Sequence, residues 1–272
     1  MFEDDGFDLD DALEPAGQAD SQELAATKML GHLFNQNRDR VFFSRQLEVQ
    51  HEDNYFHWIT NRALHNLREQ GVIRSEAHSL RTAGEIKLLW HHSNRYYRRS
   101  AARLLSLVQE YADPNIAAVI GLHGEFMVLE AFARCEFVMR GRNTRKFGSK
   151  VWQETDHNLD FIFEKDGQGY GVEVKNTLGY MQYEEFQVKL RMCQFLGIRP
   201  IFAVRMLPKT WIFELAASGG YAMILKYQLY PWAHKSLARR VADELGLPVD
   251  APRSLYEATT DRLLKWHRKA IL

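Results

Sequence analysis

The pattern of residues 159–175 constrains the fold more than any other part of the sequence. Two short stretches, Leu159–Glu164 and Tyr170–Lys175, alternate apolar and polar side chains, as strands with two different faces do. They flank the sequence Lys165-Asp166-Gly167-Gln168-Gly169, whose composition is typical of a turn. The segment is therefore predicted to be a β-hairpin, with a four-residue loop or a bulge.

The apolar residues of this hairpin determine which charged side chains meet. Phe161 must lie opposite Val172 or the valine two residues later, so that the apolar faces of the two strands match. Either register brings Asp160, Glu173 and Lys175 together on the opposite face. A slip of one residue would bury charges and expose phenylalanines, so the core pattern itself predicts this charged cluster.

Two carboxylates and a lysine on one face of a central strand pair suit phosphodiester hydrolysis. Carboxylate oxygens are the ligands that Mg²⁺ or Mn²⁺ prefers. The metal lowers the pKa of a bound water and stabilises charge on a phosphoryl group. An ammonium beside it can orient that water and neutralise the transition state.

The sequence around these residues resembles a known family. Asp160 followed by Glu173-Val174-Lys175 is similar to the D…ExK signature of the PD-(D/E)xK nuclease superfamily, whose members have the restriction-endonuclease-like fold and include Holliday-junction resolvases. The residue before Asp160 is leucine rather than proline, a departure common in the superfamily. The predicted αβββαβ order of residues 115–205 matches that core, so we expect a mixed α/β fold.

The resemblance implies catalytic roles for Glu125, Asp160, Glu173, Lys175 and Gln187. Asp160 and Glu173 would hold the metal, with the main-chain carbonyl of Val174 as a third ligand. The lysine would support the nucleophile. The glutamate lies on the helix before the sheet and would complete the acidic site. The glutamine lies on the helix after the hairpin and would orient the site.

Residues 23–82 are predicted to form a small helical module with a terminal strand pair. Its third helix, from about Asn54 to Gln70, would place Trp58 on the buried side, and Gly71 would end it. The sequence around that end, residues 64–73, resembles the end of the third helix of winged-helix domains, and that helix enters the DNA major groove. The resemblance implies DNA contacts from His57, Thr60, Asn61, His65 and Arg68. A role in binding another protein is the alternative.

The remaining residues are assigned to two further parts. Residues 83–113 are predicted to be one connecting helix. Residues 114–272 would form the nuclease domain, with further strands at Trp211–Leu215 and Tyr221–Lys226 and a C-terminal helix.

The net charge of zero is a sum of unlike parts. Residues 1–27 carry nine acids and no Lys or Arg, so the remaining chain carries 35 − 26 = +9. Residues 1–22 are predicted to be a disordered acidic tail, which would either solubilise the protein or compete with nucleic acid for a basic surface. The loop of residues 141–153 is basic, and its Arg142, Arg145 and Lys146 are expected to bind DNA.

Several classes of protein are excluded by the sequence. Two cysteines cannot build a disulfide framework or a cysteine-based zinc site. We expect no apolar run to approach the roughly 20 residues that are needed to span a bilayer. The acidic N-terminus is unlike a signal peptide, so a cytoplasmic location is expected. No phosphate-binding loop of the ATPase type is present, so no nucleotide cofactor is expected.

The sequence thus favours an endonuclease that uses Mg²⁺ or Mn²⁺ to hydrolyse DNA, with a winged-helix-like module that contacts the DNA. A homodimer would supply two sites for two strands. Two alternatives stay open: a DNA-binding regulator or defence adaptor that does not cleave, and a Holliday-junction resolvase. The choice between DNA and RNA as substrate is not determined by the sequence.

Overall fold

The structure, a computed structural model, describes residues 21–81 and 83–271. The predicted acidic tail therefore lies outside the described residues, except for Ser21 and Gln22, which begin the first helix. The chain divides into two compact units. The first contains the described residues up to Ala117 together with Arg239–Pro248. The second contains Ala118–Ala238 and the described residues from Val249 onward.

The first unit consists of helices packed on a small sheet. Its elements are α1 (Ser21–Gln36), β1 (Val41–Phe43), α2 (Ser44–His51), α3 (His57–Glu69), β2 (Ile73–Leu80), β3 (Gly84–His91) and α4 (Tyr97–Tyr111). The strands form an antiparallel sheet in the order β1-β3-β2. Leu30, Phe34, Leu47, Ile59 and Leu67 are among the residues that fill the core under this sheet.

The second unit contains a five-stranded mixed sheet with helices on both faces. Its larger elements are α5 (Pro114–Arg134, of which the first four residues belong to the first unit), β4 (Val138–Thr144), β5 (Lys146–Phe147), β6 (Lys150–Val151), β7 (Leu159–Lys165), β8 (Gln168–Lys175), α6 (Tyr183–Leu196), β9 (Arg199–Val204), α7 (Lys209–Ala217) and β10 (Tyr221–Ile224). They are followed by β11 (Gln228–Leu229), a 3-10 turn (Trp232–His234), α8 (Lys235–Leu245, of which residues 239–245 belong to the first unit), β12 (Val249–Asp250) and α9 (Glu257–Ala270).

The strand order of this sheet is β10-β9-β8-β7-β4. Strands β8, β9 and β10 run parallel, whereas β7 is antiparallel to both of its neighbours. The core between the sheet, α5 and α9 includes Phe132, Phe161, Phe163, Val172 and Leu263, all fully or almost fully buried. The expectation of a mixed α/β fold is confirmed.

The hairpin has one of the two registers that the apolar pattern allowed. Phe161 lies opposite Val172, so the apolar faces match as expected. The four-residue loop is wrong, however, because Lys165 still pairs with Gln168 and only two residues form the turn. Asp166 and Gly167 have φ values of +51° and +76°, the left-handed conformations of the tight hairpin turn for which Asp-Gly is favoured.

The predicted connecting helix over residues 83–113 is wrong in its first part. Residues 84–91 form β3, the central strand of the first sheet, and the helix begins only at Tyr97. The spacing of Ile86, Leu89 and Trp90 fits a helix as well as a strand, which explains the error. Gly84, with φ of +69°, provides the turn that returns the chain beside β2.

Two more boundaries differ from the prediction. Residues 209–217 form α7 rather than a strand, because Trp211, Ile212 and Leu215 reach one apolar cluster at helical spacing. Residues 239–248 belong to the first unit rather than to the second. Within the first unit, the side chains of Gln46 and Gln50 both donate to the Leu245 carbonyl, at 2.8 and 2.6 Å.

One described helix, α5, is long and apolar enough by length and composition to cross a membrane. This contradicts the expectation that no apolar run would reach that length. Met127, Val128 and Phe132 of this helix are buried in the core of the second unit.

Two glycines of α5 provide a test of how closely this helix approaches the sheet. A Cβ atom at Gly124 would overlap the side chain of Asn176, which follows β8, whereas a Cβ at Gly121 would meet nothing within 4 Å. We expect G124A to destabilise the protein by about 1–3 kcal/mol through overpacking. G121A should be neutral or stabilising by up to about 1 kcal/mol. Denaturant unfolding of both variants checks this, and equal midpoints would contradict the close approach.

Candidate active site at one edge of the five-stranded sheet

The predicted charged residues lie together where β7 begins and β8 ends. Because β7 and β8 are antiparallel, these two ends meet at the same edge of the sheet. Asp160 Oδ2 accepts a hydrogen bond from the Val174 main-chain N–H at 2.7 Å. Glu173 is buried, with 3% of its surface exposed, and Asp160 is half-buried. The structure therefore brings Asp160, Glu173 and Lys175 into one cluster.

A second lysine, which the sequence analysis missed, reaches the cluster from α6. Lys189 is only 4% exposed, and its Nζ donates to Glu173 Oε2 at 2.7 Å and to the Asn158 carbonyl. The signal was present in the sequence, because Lys189 lies three residues after Phe186 and four before Cys193, both buried on the same face of α6. A lysine at such an inward position needs a buried acidic partner.

Lys175 is held by two carboxylates. Its Nζ lies 2.8 Å from Glu185 Oε1 and 3.7 Å from Glu173 Oε1. Glu185 was also missed by the sequence analysis. It lies one helical turn before Lys189, so α6 presents a glutamate and a lysine in succession to the ends of β7 and β8.

Both carboxylates of the cluster are easier to protonate than usual. Burial, and then the charge of Asp160, raise the pKa of Glu173 to about 7, although the charge of Lys189 acts against this shift. Burial also raises the pKa of Asp160, against the lowering effect of the Val174 N–H. Two neighbouring carboxyl groups that both have a raised pKa, one of them partly through the charge of the other, form the kind of group that a cation would stabilise.

Lys175 has the opposite electrostatic balance. Burial alone would lower the pKa of its ammonium, but the hydrogen bond and the charge of Glu185 outweigh burial, and the pKa is raised. Lys175 is therefore protonated at neutral pH. It can supply positive charge to an anion, and it is not poised to accept a proton.

Glu125 approaches the same edge from α5. Its carboxylate forms an ion pair with Arg142 of β4, at 3.0 Å. Its charge is near enough to contribute to the raised pKa of Asp160. The guanidinium of Arg142 also lies over the rings of Phe126 and Phe161, 5.8 Å from each centroid. Arg142 is thus held beside the site.

Gln187 is placed differently from the other predicted catalytic residues. Its side-chain amide donates to the carboxylate of Glu214 in α7, which also accepts from the Tyr183 hydroxyl at 3.3 Å. The prediction that Gln187 orients the acidic site is therefore replaced by a contact between α6 and α7. Glu185 and Lys189 are the residues by which α6 reaches the site.

Asn176, directly after Lys175, fixes the end of β8. Its Nδ2 donates to the carbonyls of Ile120 in α5 and Leu229 in β11, at 2.8 and 2.7 Å. Its Oδ1 accepts from the Leu229 N–H at 2.6 Å. The side chain thus ties a helix and a second strand segment to the residue that follows Lys175.

The basic side chains of residues 141–153, beside the site, are largely exposed to solvent. Arg145 donates to the exposed carboxylate of Asp156 at 3.2 Å, and Lys146 is exposed at the start of β5. Together with Arg142 they lie after or within β4, whose end meets the start of β7 at this edge of the sheet.

In the first unit, α3 exposes only part of the predicted set of DNA-contacting residues. Thr60 is fully buried, so it is wrong as a DNA contact, and burial of His57 lowers the pKa of its imidazole. Trp58 was expected to be buried but is 41% exposed. The guanidinium of Arg62 lies 5.1 Å from its ring centroid. Substantial parts of Asn61, His65 and Arg68 are exposed on this helix, in agreement with the sequence.

Among residues 21–81 and 83–271, no group of three or more His, Cys, Asp or Glu side chains is arranged to hold a metal ion. The donor set at the sheet edge is therefore two carboxylates. Glu125, which would be the third, is bonded to Arg142.

Comparisons with known proteins leave the function open. No family model matches this sequence, and no curated protein matches it. The crystal structure of protein VC1899 from Vibrio cholerae is similar at 15% identity and a TM-score of 0.25. That similarity covers 91% of this chain and 51% of the other, so this chain spans about half the length of that protein.

The Lys189–Glu173 contact can be tested through stability. Removing one partner of a buried pair leaves a buried charge, so K189M should destabilise the protein by about 3 kcal/mol at pH 8. The loss should be smaller at pH 6, because Glu173 with a pKa of about 7 is then mostly protonated. The E173Q/K189M double variant should recover most of the loss, and denaturant unfolding measures all three.

Lys150 provides the matched control for this test, because it is exposed and bonded only to the Phe195 carbonyl among the described residues. K150M should change stability by less than about 0.5 kcal/mol. If K189M were as mild as K150M at pH 8, the buried pair would not exist in solution.

Proposed function

We propose that this protein is a metal-dependent endonuclease of the PD-(D/E)xK type that hydrolyses DNA phosphodiester bonds. The observation that carries the proposal is the cluster at the sheet edge. There the charge of Asp160 helps burial to raise the pKa of Glu173, burial raises the pKa of Asp160 as well, and the protonated Lys175 lies 3.7 Å from Glu173 Oε1. Acidic oxygens and a fixed cation are the groups that phosphodiester hydrolysis requires.

The arrangement of the second unit supports the same class. The order α5-β4-β7-β8-α6-β9, with the acidic residues at the adjoining ends of β7 and β8, agrees with the restriction-endonuclease-like core that the sequence resembles. The small β5–β6 hairpin is an insertion between β4 and β7.

The donor atoms at the edge suit a hard divalent cation. Hydrogen bonds from Val174 and Lys189 engage one oxygen of each carboxylate. A metal would take the other oxygen of Asp160 and Glu173 Oε1, which lies 3.7 Å from Lys175 Nζ. In a strand the N–H and C=O of one residue point to the same side, so the Val174 carbonyl also faces Asp160. Mg²⁺ typically takes one or two carboxylates and completes its shell with water and substrate phosphate.

The residues divide the chemistry between them. A divalent metal would lower the pKa of a bound water and neutralise phosphate charge. Lys175, protonated and tied to Glu185, would hold the scissile phosphate by its charge. Arg142 and Lys146 would bind flanking phosphates. Water would add to phosphorus while one P–O ester bond breaks.

The first unit fits a DNA-contacting module. Three helices, a hairpin β2–β3 and the order β1-β3-β2 agree with a winged-helix domain, in which the third helix reads the major groove. On α3 the side chains available for this role are Asn61, Arg62, His65 and Arg68, with Trp58 beside Arg62.

Cleavage of a substrate panel tests the proposal. Duplex DNA, single-stranded DNA, a four-way junction and RNA are incubated with Mg²⁺ and, separately, with chelator. We expect metal-dependent cleavage of at least one DNA, and a loss of about 10²-fold or more in K175M, as for removal of one charge-stabilising group.

The control variant is K165M, which removes a lysine from the same hairpin at its opposite end. It should cleave as the unmodified protein does. Binding without cleavage in any metal would favour the non-cleaving regulator, and cleavage confined to the junction would favour the resolvase. Equal activity of K175M and K165M would contradict the assigned site.

The raised pKa of Glu173 makes a second prediction. A metal ligand must be deprotonated, and a carboxyl with a pKa of about 7 is mostly protonated at pH 6 and mostly ionised at pH 8. Mg²⁺ or Mn²⁺ affinity should therefore rise roughly 10-fold from pH 6 to pH 8, as measured by calorimetry. An affinity that stays constant over this range would contradict Glu173 as a ligand.

A further inference from the structure

Trp232 occupies an unusual position on the surface of the second unit. It lies in the 3-10 turn after β11, and 49% of it is exposed. Two cations lie over its ring: Lys235 Nζ is 4.1 Å from the centroid and the Arg253 guanidinium carbon is 4.7 Å away. These three residues, with the exposed Tyr227, are called the aromatic–basic corner below.

The corner lies at the same sheet edge as the acidic cluster. Strand β10 is parallel to β9, and β9 to β8, so the chain leaves β10 at the edge where β8 presents Glu173 and Lys175. The following segment is then bonded to Asn176, because Leu229 exchanges hydrogen bonds with that side chain. Trp232 thus follows a strand that is fixed to the residue after Lys175.

The charge of the corner is not compensated by its neighbours. Residues 226–238 and 251–256 contain no Asp or Glu. The nearest acids in sequence are Asp250, whose carboxylate accepts from the Ala251 N–H and the Tyr256 hydroxyl, and Glu257 in α9. Within the described residues, neither Lys235 nor Arg253 forms an ion pair. Both cations lie over the ring of Trp232, and no acidic group among the described residues compensates their charge.

An exposed indole and two cations without an acidic partner can bind different parts of the same ligand. The cations attract phosphates, and the aromatic ring offers a surface on which a base can stack. In a duplex the base faces are covered by their neighbours, whereas in an unpaired strand they are accessible. The chemistry therefore matches a single strand better than a double helix.

We propose that the aromatic–basic corner binds an unpaired nucleic-acid strand at the end of the sheet that carries the acidic cluster. This inference rests on the proposed nuclease function and narrows its substrate to nucleic acids that contain a single-stranded segment. A base takes the place of a cation on the Trp232 ring, and Lys235 and Arg253 turn from the ring to the adjoining phosphates.

Binding without cleavage tests the corner directly. The full chain is titrated, in chelator, against a fluorescein-labelled oligothymidylate, and fluorescence anisotropy gives the affinity. We expect W232A to weaken binding roughly 5- to 150-fold, the range found for the loss of one stacked base. The K235M/R253M variant should lower the salt dependence, reducing the slope of log affinity against log salt by about 1.4.

Controls separate the corner from general effects. Phe213 of α7 is 74% exposed, so F213A removes another surface ring and should bind as the unmodified protein does. W232F keeps an aromatic ring at the corner and should retain more affinity than W232A. Circular dichroism shows whether each variant is folded. If W232A does not fold, K235M/R253M still tests the proposal independently.

The outcomes for the corner and for the nuclease are distinct. If the protein cleaves single strands but W232A and K235M/R253M bind them as well as the unmodified protein does, the proposed role of the corner is wrong and the proposed nuclease activity is supported. Weakened binding by these variants in a protein that never cleaves would support the corner and overturn the nuclease. The preference for an unpaired strand would be contradicted if the variants lost as much affinity for a blunt duplex as for the oligothymidylate. It would also be contradicted if polyglutamate competed as well as unlabelled oligothymidylate.

Discussion

The pairing of Phe161 with Val172 is the constraint on which the site depends. It places two fully buried side chains on the face covered by α5 and α9, and so turns Asp160, Glu173 and Lys175 to the face covered by α6. A slip by one residue would expose both apolar side chains, at about 1.5–3 kcal/mol each. The two-residue Asp166-Gly167 turn fixes the same register from the other end of the hairpin. The acidic cluster is therefore held together by the apolar core behind it.

The charges of the cluster are arranged in pairs. Lys189 of α6 compensates the charge of Glu173, and Glu185 of the same helix forms an ion pair with Lys175. Without the two lysines, the buried Glu173 and the half-buried Asp160 would repel each other and would bind protons more readily. Because Lys189 is bonded to the Asn158 carbonyl as well as to Glu173, it also joins α6 to the segment that leads into β7. The same lysine thus supports both the position and the charge of the site.

The sequence predicted the hairpin, limited its register to two choices and predicted the three-residue cluster, because a two-residue period leaves few alternatives once the apolar faces of the two strands must match. It did not reveal β3, since Ile86, Leu89 and Trp90 fit both periods and only main-chain pairing with β1 and β2 decides between them. Lys189 and Glu185 were missed because their partners are distant in sequence. Trp58 was assigned to the core because an aromatic residue next to a buried position was read as part of the apolar face of α3.

The central claim is that Asp160 and Glu173 together hold a divalent cation. Anomalous diffraction from crystals soaked in Mn²⁺ tests it most directly. We expect one strong manganese peak at about 2.0–2.3 Å from an oxygen of each carboxylate, and its loss in D160N crystals treated in the same way. Manganese bound elsewhere, or a peak between these residues that persists in D160N, would contradict it.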